Sequence, residues 1–249
     1  MNLIEIYNSN GDKLSSDKLE LFGLKLNIPS PSYQLITEPV DGRGGVIVLD
    51  RILQPRDISA RFFTKSGSYE DSLKLRDELF YIFSSGNIYI AESNLPGKRW
   101  CVYSHEWSPD SLSRMIKEFE IPMTAPSGTS ESVNVLNRTY SVFSFVFRNE
   151  GNHPIDMRTQ EETEITFVGA SSSLSILNNT TGDEWKYNGT TTANDVITLK
   201  GVRSMKNGQS IFSETNKRLI SFAVGNNEFE ISGVSGPFEL SISTRFYFL

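Results

Sequence analysis

Two histidines, one cysteine and 30 carboxylates bound the chemistry open to this 249-residue chain. Ser104, His105 and Glu106 are the residue types of a nucleophile, its base and an orienting acid. They are consecutive, and adjoining side chains of an extended segment point to opposite faces, so the trio cannot form a relay by itself. No Gly-x-Ser-x-Gly elbow offers a nucleophile elsewhere. Glu228 and Glu230 share one face of an extended segment, and Glu161, Glu162 and Glu164 cluster in a loop. Paired carboxylates are glycosidase chemistry, but only in a cleft that raises one pKa, and acidic pairs on a wet sheet face are commonplace. Asp183-Glu-Trp-Lys-Tyr187 sets Asp183, Trp185 and Tyr187 on one face by alternation, near Asn178, Asn179 and Asn188. Aromatic rings can stack on a sugar while polar groups fix its hydroxyls, which makes this the candidate glycan contact. The same alternation also describes two aromatics filling a core.

Metal and phosphate chemistry have less support. Cys101 alone allows neither an internal disulfide nor a cysteine zinc cluster, and His105 with His153 cannot build a histidine-rich site. Gly42-Arg-Gly-Gly45 lacks the Gly-Lys-Ser/Thr ending of a phosphate loop. The sequence therefore predicts no enzyme, no cofactor and no metal. The formal charge is −6, with 14 Lys and Arg against 17 Asp and Glu up to residue 127 and 10 against 13 after it. Neither half is basic, which argues against a dedicated nucleic-acid binder. The opening segment has no basic region followed by an apolar run, and no stretch of 18 apolar residues occurs, so neither a signal peptide nor a membrane span is expected.

The elements that must position these residues are mostly strands. Six Ala stand against 33 Ser, 16 Thr and 16 Phe, a bias toward strands and turns. Strands are expected at 22–28, 46–53, 58–63, 88–92, 99–104 and 115–121. Phe143, Phe145 and Phe147 share a strand face, Phe222 and Val224 alternate, and Leu240, Ile242, Phe246 and Phe248 follow. One helix is expected, with Tyr69, Leu73, Leu79, Phe80 and Phe83 on its apolar face, Ser68 as cap and Gly86 at its end. Residues 124–131, with Pro126 and Gly128, read as a linker. The boundary predicts two domains, 1–127 and 128–249. Turn signals at 149–152, 179–183, 188–189, 206–209 and 225–227 mark the second as a β-sandwich.

The order of segments carries a resemblance. It runs through Val40-Asp-Gly-Arg-Gly-Gly45, Arg51, Arg56-Asp-Ile-Ser, Leu75-Arg-Asp-Glu-Leu79 and Lys98-Arg-Trp-Cys-Val-Tyr103. It continues with Phe147-Arg-Asn-Glu-Gly-Asn152, Ile176-Leu-Asn-Asn-Thr-Thr-Gly182 and Gly225-Asn-Asn-Glu-Phe-Glu-Ile231, and ends in Arg245-Phe-Tyr-Phe-Leu249. In this order and over nearly the whole length, the chain resembles the distal tail proteins of long-tailed, non-contractile bacteriophages (siphophages) that infect Gram-positive hosts. The resemblance implies a mainly β chain with one helix. Its N-terminal domain would be a tube-like β-sandwich with a helix and a hairpin arm, and its C-terminal domain a galectin-like β-sandwich. It also implies a structural hub: a homohexamer ring at the virion tail tip or baseplate, made in the host cytoplasm. The ring would join the major tail tube protein to a tail-associated lysin or fibre protein and to receptor-binding proteins. DNA would pass through its channel without specific binding, and no membrane partner is implied. The candidate inter-subunit arm is the stretch around Asp41, Gly42, Arg43, Gly44 and Gly45, with Arg51 behind it. A protein that binds host-surface glycans is the alternative.

Overall fold

The computed structural model describes residues 3–14, 20–42, 44–111, 113–160 and 162–249, with Asp110 and Ser111 described by their backbone alone. They form two compact units, Met1–Glu131 with Leu249, and Ser132–Phe248. The first runs β1 Ile4–Tyr7, β2 Lys13–Leu14, β3 Leu21–Asn27, β4 Tyr33–Pro39, β5 Val46–Leu53, β6 Arg56–Lys65, α1 Tyr69–Ser84, β7 Ile88–Glu92, β8 Lys98–Ser104, β9 Asp110–Ser111 and β10 Ile116–Ala125. A short strand, β11 Ser130–Ser132, follows.

The first unit is built on the strand order β2-β1-β7-β8-β10-β6-β3. Strict alternation in β6 turns Ile58, Ala60 and Phe62 inward, and the antiparallel register sets them opposite Met123, Ile121 and Phe119 of β10. Such a half-buried ladder is what period-2 patterning specifies. The helix covers this core. Ser68 caps it by accepting from the Asp71 amide at 3.1 Å, while its hydroxyl donates to Asp71 Oδ2 at 2.6 Å. Its buried residues are Ser72, Leu75, Leu79 and Phe83. Phe83 meets Phe62 edge-on at 6.1 Å, and Phe62 lies 5.9 Å from Phe119. Each such ring contributes about 1.5–3 kcal/mol by leaving water.

Here the expected helix face is corrected. Tyr69 and Phe80 are exposed. The true stripe runs through Leu75 and Ser72, and a small serine on the buried side hides the period from a reading of apolar residues alone.

The second unit runs β12 Leu136–Tyr140, β13 Ser144–Asn149, β14 Ile155–Asp156, β15 Glu164–Asn178, β16 Asp183–Lys186, β17 Thr190–Thr191, β18 Val196–Lys200, β19 Arg203–Lys206, β20 Gln209–Ser210, β21 Ser221–Phe222, β22 Gly225–Thr244 and β23 Tyr247–Phe248. Its main order is β12-β22-β15-β18-β19-β20, with β13 beside β22, and β16 and β17 beside β15. The two long strands β15 and β22 pair along most of their length, broken by register shifts between Gly169 and Ser175. These bulges bend both strands together, so one pair serves both layers of a β-sandwich. The core holds Phe145, Phe147, Phe167, Phe222, Phe229, Trp185 and Leu240, among others. Asn207 and Gly208 both have positive φ and close the β19–β20 hairpin, as their turn signal predicts. Two local expectations differ. Phe143 precedes β13 and is exposed. Asn226 and Asn227 lie inside β22 rather than in a turn, because buried Asn227 binds backbone there: its Oδ1 accepts from the Ala223 amide, and its Nδ2 donates to the Ala223 and Gly225 carbonyls.

Candidate assembly interface

Among the described residues, strands β4 and β5 pair only with each other, as a two-stranded antiparallel hairpin. We call it the arm. It begins after Ile28-Pro29-Ser30-Pro31-Ser32 and ends at Gln54-Pro55, two connectors outside any strand, and the Gln54 amide donates to the Ser32 carbonyl at 3.0 Å to close its base. At about 3.4 Å per residue an eight-residue strand projects roughly 27 Å.

The register assigns its faces. Tyr33, Leu35, Thr37, Pro39, Val46, Val48, Arg51 and Leu53 share one, and Gln34, Ile36, Glu38, Ile47, Asp50 and Ile52 share the other, with Leu49 bulged between them. Both faces are therefore rich in aliphatic side chains. Leu35, Ile36, Val46, Ile47, Val48, Leu49 and Ile52 are all exposed, Val46 and Leu49 to 59%. An isolated two-stranded ribbon is marginally stable at best in water. Here aliphatic side chains on both faces stay exposed among the described residues, a surface of the kind that marks an interaction site.

The predicted arm residues lie at its end and near its root. Asp41, Gly42, Gly44 and Gly45 form the exposed tip, where Gly42 (φ +75) and Gly45 (φ +90) reverse the chain. Arg43 lies outside the described residues. Arg51 stacks over the Tyr33 ring at 4.3 Å, and its amide donates to Asp50 Oδ1 at 2.7 Å. The aliphatic run Val46-Ile-Val-Leu49 was not singled out by the sequence reading. Its signal lies in the sequence: four consecutive apolar residues predict a strand buried on both faces, yet all four stay exposed among the described residues.

The other candidates fall elsewhere. Ser104 Oγ donates to the Phe83 carbonyl at 2.6 Å. His105 Nε2 instead meets Thr124 Oγ1 at 2.7 Å, and Thr124 Oγ1 donates to Asp57 Oδ1 at 2.8 Å. The structure thus joins His105 to a threonine and an aspartate that sequence proximity did not suggest, beside a cleft of about 470 Å³ lined by Phe80, Tyr103 and Trp107. Glu228 and Glu230 are exposed on β22, opposite Val146 and Ser144 of β13. Glu161 lies outside the described residues. Glu162 accepts from Arg245 Nε at 2.6 Å, and Glu164 pairs with Lys200 at 3.4 Å.

Of the proposed glycan contact, Trp185 and Tyr187 are in the core. Trp185 is 1% exposed, and its Nε1 donates to Ser204 Oγ at 3.1 Å. A sugar needs an open ring face, and neither ring offers one. Asp183 Oδ2 accepts from the Ser221 amide and hydroxyl and from Thr181 Oγ1. Among the described residues no group of three or more His, Cys, Asp or Glu is placed to hold a metal ion, and no helix is long and apolar enough to cross a membrane.

Known proteins match this architecture. A family model described as phage tail protein RIFT-related domain matches residues 2–125. By sequence alone, no curated protein matches significantly. The crystal structure of Dit (gp 19.1) of phage SPP1, described as a paradigm of the hub adsorption apparatus in Gram-positive infecting phages, superposes with a TM-score of 0.75 at 13% identity, over 98% of this chain and 100% of that one. Two structures of the phage p2 baseplate in its activated conformation, with Sr and with Ca, give TM-scores of 0.53 at 9% and 8% identity, over 98% of both chains. Residues 2–125 match the phage tail protein RIFT-related domain, and along nearly all its length the chain has the fold of SPP1 Dit.

Proposed function

We propose that this protein is a structural hub of a phage tail tip, whose copies close into a hexameric ring through the arm. The ring joins the tail tube above to a tail-associated lysin or fibre below. The second unit carries attachment surface for receptor-binding proteins. The observation that carries the reading is the arm: it is apolar on both faces, and its aliphatic side chains stay exposed among the described residues. An element of that kind is stable when neighbours cover it, and strand ribbons exchanged between subunits are a common way to cover them. The family match of the first unit and the fold shared with SPP1 Dit support the same reading.

Charge adds a second strand of support. At −6 per copy, a ring of six is strongly acidic. A channel through it repels phosphate, so DNA slides rather than binds. The proposed mechanism is assembly without bond-making chemistry.

The test is a deletion of residues 41–45 combined with mass measurement by light scattering. The intact chain is expected to assemble and the deleted one to remain a folded monomer. An unchanged assembly would refute the role of the arm tip.

A further inference from the structure

One charged side chain of the first unit is not accounted for by its own fold. Arg56 opens β6 directly after the arm and is 5% exposed. Its Nε and Nη2 are buried without a hydrogen-bond partner. The guanidinium stacks on Trp100, 4.8 Å from the ring centroid. A cation–π contact offsets only part of the cost of an unpaired buried charge, and burial lowers the pKa of the group accordingly. Arg99 shows the contrast. It is as deeply buried and also lies over a ring, that of Tyr89, yet it is paired with Glu131 at 2.7 Å. The same unit thus supplies a carboxylate to one buried arginine and none to the other.

Part of the surroundings of Arg56 is the base of the arm. Tyr33, the first residue of β4, is near enough to act on its charge, and Arg51 stacks over the Tyr33 ring. Ala125 is the register partner of Arg56, and the turn after it sets Gly128 against Leu53 and Gln54. Thr129 Oγ1 in this turn is likewise buried and without a partner. The unpartnered groups therefore gather where the arm is rooted. Nε and Nη2 are also a specific pair: they are the two parallel donors that a carboxylate engages side-on.

We propose that the arm root is a carboxylate-binding site whose occupant is an acidic side chain of a second copy of this chain, admitted when the arm is drawn onto its neighbour. The inference rests on the arm reading above. A second copy fits because Arg56 directly follows the arm that reaches a neighbour and because each copy has acids in excess, 30 against 24 basic residues. The chain keeps an unfavourable group in the free subunit, and assembly resolves it. The general expectation is a residue that costs the monomer stability and favours association.

The experiment compares wild type, Arg56→Met, Arg56→Lys and the arm variant Val46→Asp/Leu49→Asp. Each is followed by sedimentation equilibrium from micromolar to millimolar concentration and by thermal unfolding when dilute. Arg56→Met is expected to hold or raise the midpoint of the dilute chain while weakening association by about tenfold or more. Arg56→Lys keeps the charge but lacks the side-on fork, and is also expected to weaken association. If Arg56→Met lowers the midpoint and leaves association unchanged, the residue merely props its own fold and the inference is overturned. Should the methionine variant fail to fold, unchanged association of Arg56→Lys overturns it. The two readings separate cleanly. Loss of association in the arm variant alone overturns this inference and spares the arm. A wild type that never associates, or an arm variant that associates like wild type, overturns both.

Discussion

The double substitution Val46→Asp/Leu49→Asp puts the arm to a quantitative test. Both residues are 59% exposed in the single chain. Together they present roughly 200 Å² to solvent, worth about 5 kcal/mol if a neighbour covers it completely. Interfaces realise only a part of such area, because association also costs ordering and imperfect desolvation. Taking half leaves about 2–3 kcal/mol for each contact, or roughly 30–150-fold in its dissociation constant. Two buried carboxylates can only add to the loss. The free chain should hardly notice, since exposed substitutions away from special features fall within about 0.5 kcal/mol. Sedimentation equilibrium and chemical denaturation, run on the same preparations, separate the two effects. Val202→Asp is the control, for Val202 is comparably exposed at 58% but sits in the β18–β19 turn of the second unit. If the arm variant and the control weaken association equally, exposed aliphatics act nonspecifically and the arm loses its special role.

Three further outcomes follow from packing and titration. Trp185→Ala should cost about 3–5 kcal/mol in urea denaturation, because it empties a core site and frees the Ser204 hydroxyl. Asn227→Ala should cost roughly 2–4 kcal/mol by the same assay, since it strands the Ala223 amide and one of the two Asn178 Nδ2 hydrogens, the other staying on the Ser221 carbonyl; a loss under 1 kcal/mol would mean that water replaces the side chain. Tyr7 has its pKa pushed up to about 12 by burial and by the hydrogen bond it donates to Glu5. The unfolded chain ionises this phenol near its ordinary value of about 10. The stability tied to the neutral phenol is therefore full below that pH and lost as pH rises toward 12. Tyr7→Phe should flatten this part of the alkaline denaturation curve, and an unaltered curve would remove Tyr7 as its source.

How far the sequence carries is visible in particular residues. The strands 46–53 and 88–92 match the structure residue for residue, because strong alternation or an unbroken aliphatic run admits no other local solution. The Ser68 cap was legible because it is a local hydrogen bond. Residue type favours core burial of Trp185, whereas alternation tells which residues share a face but not which face meets the core. That the His105 chain passes through Thr124 to Asp57 could not be read at all. It joins residues 19 and 67 positions apart, which only the β10–β6 register and the chain after β8 bring together. The arm shows the opposite failure: its glycines mark the tip, while the stickier stretch beside it reads only as a strand over 46–53.

The closure of the second unit has a practical corollary. Its first and last segments are laced together. The Ser132 amide donates to the Phe246 carbonyl at 2.8 Å, the Phe246 amide donates to Ser132 Oγ at 3.1 Å, and Arg245 Nη1 donates to the carbonyls of Ser132 and Val133. A segment whose ends meet in this way behaves as a cassette: new termini can be opened at a distant turn, or its neighbour exchanged, without unpicking its interior. Genes recombining at such a seam could trade this unit as a finished part.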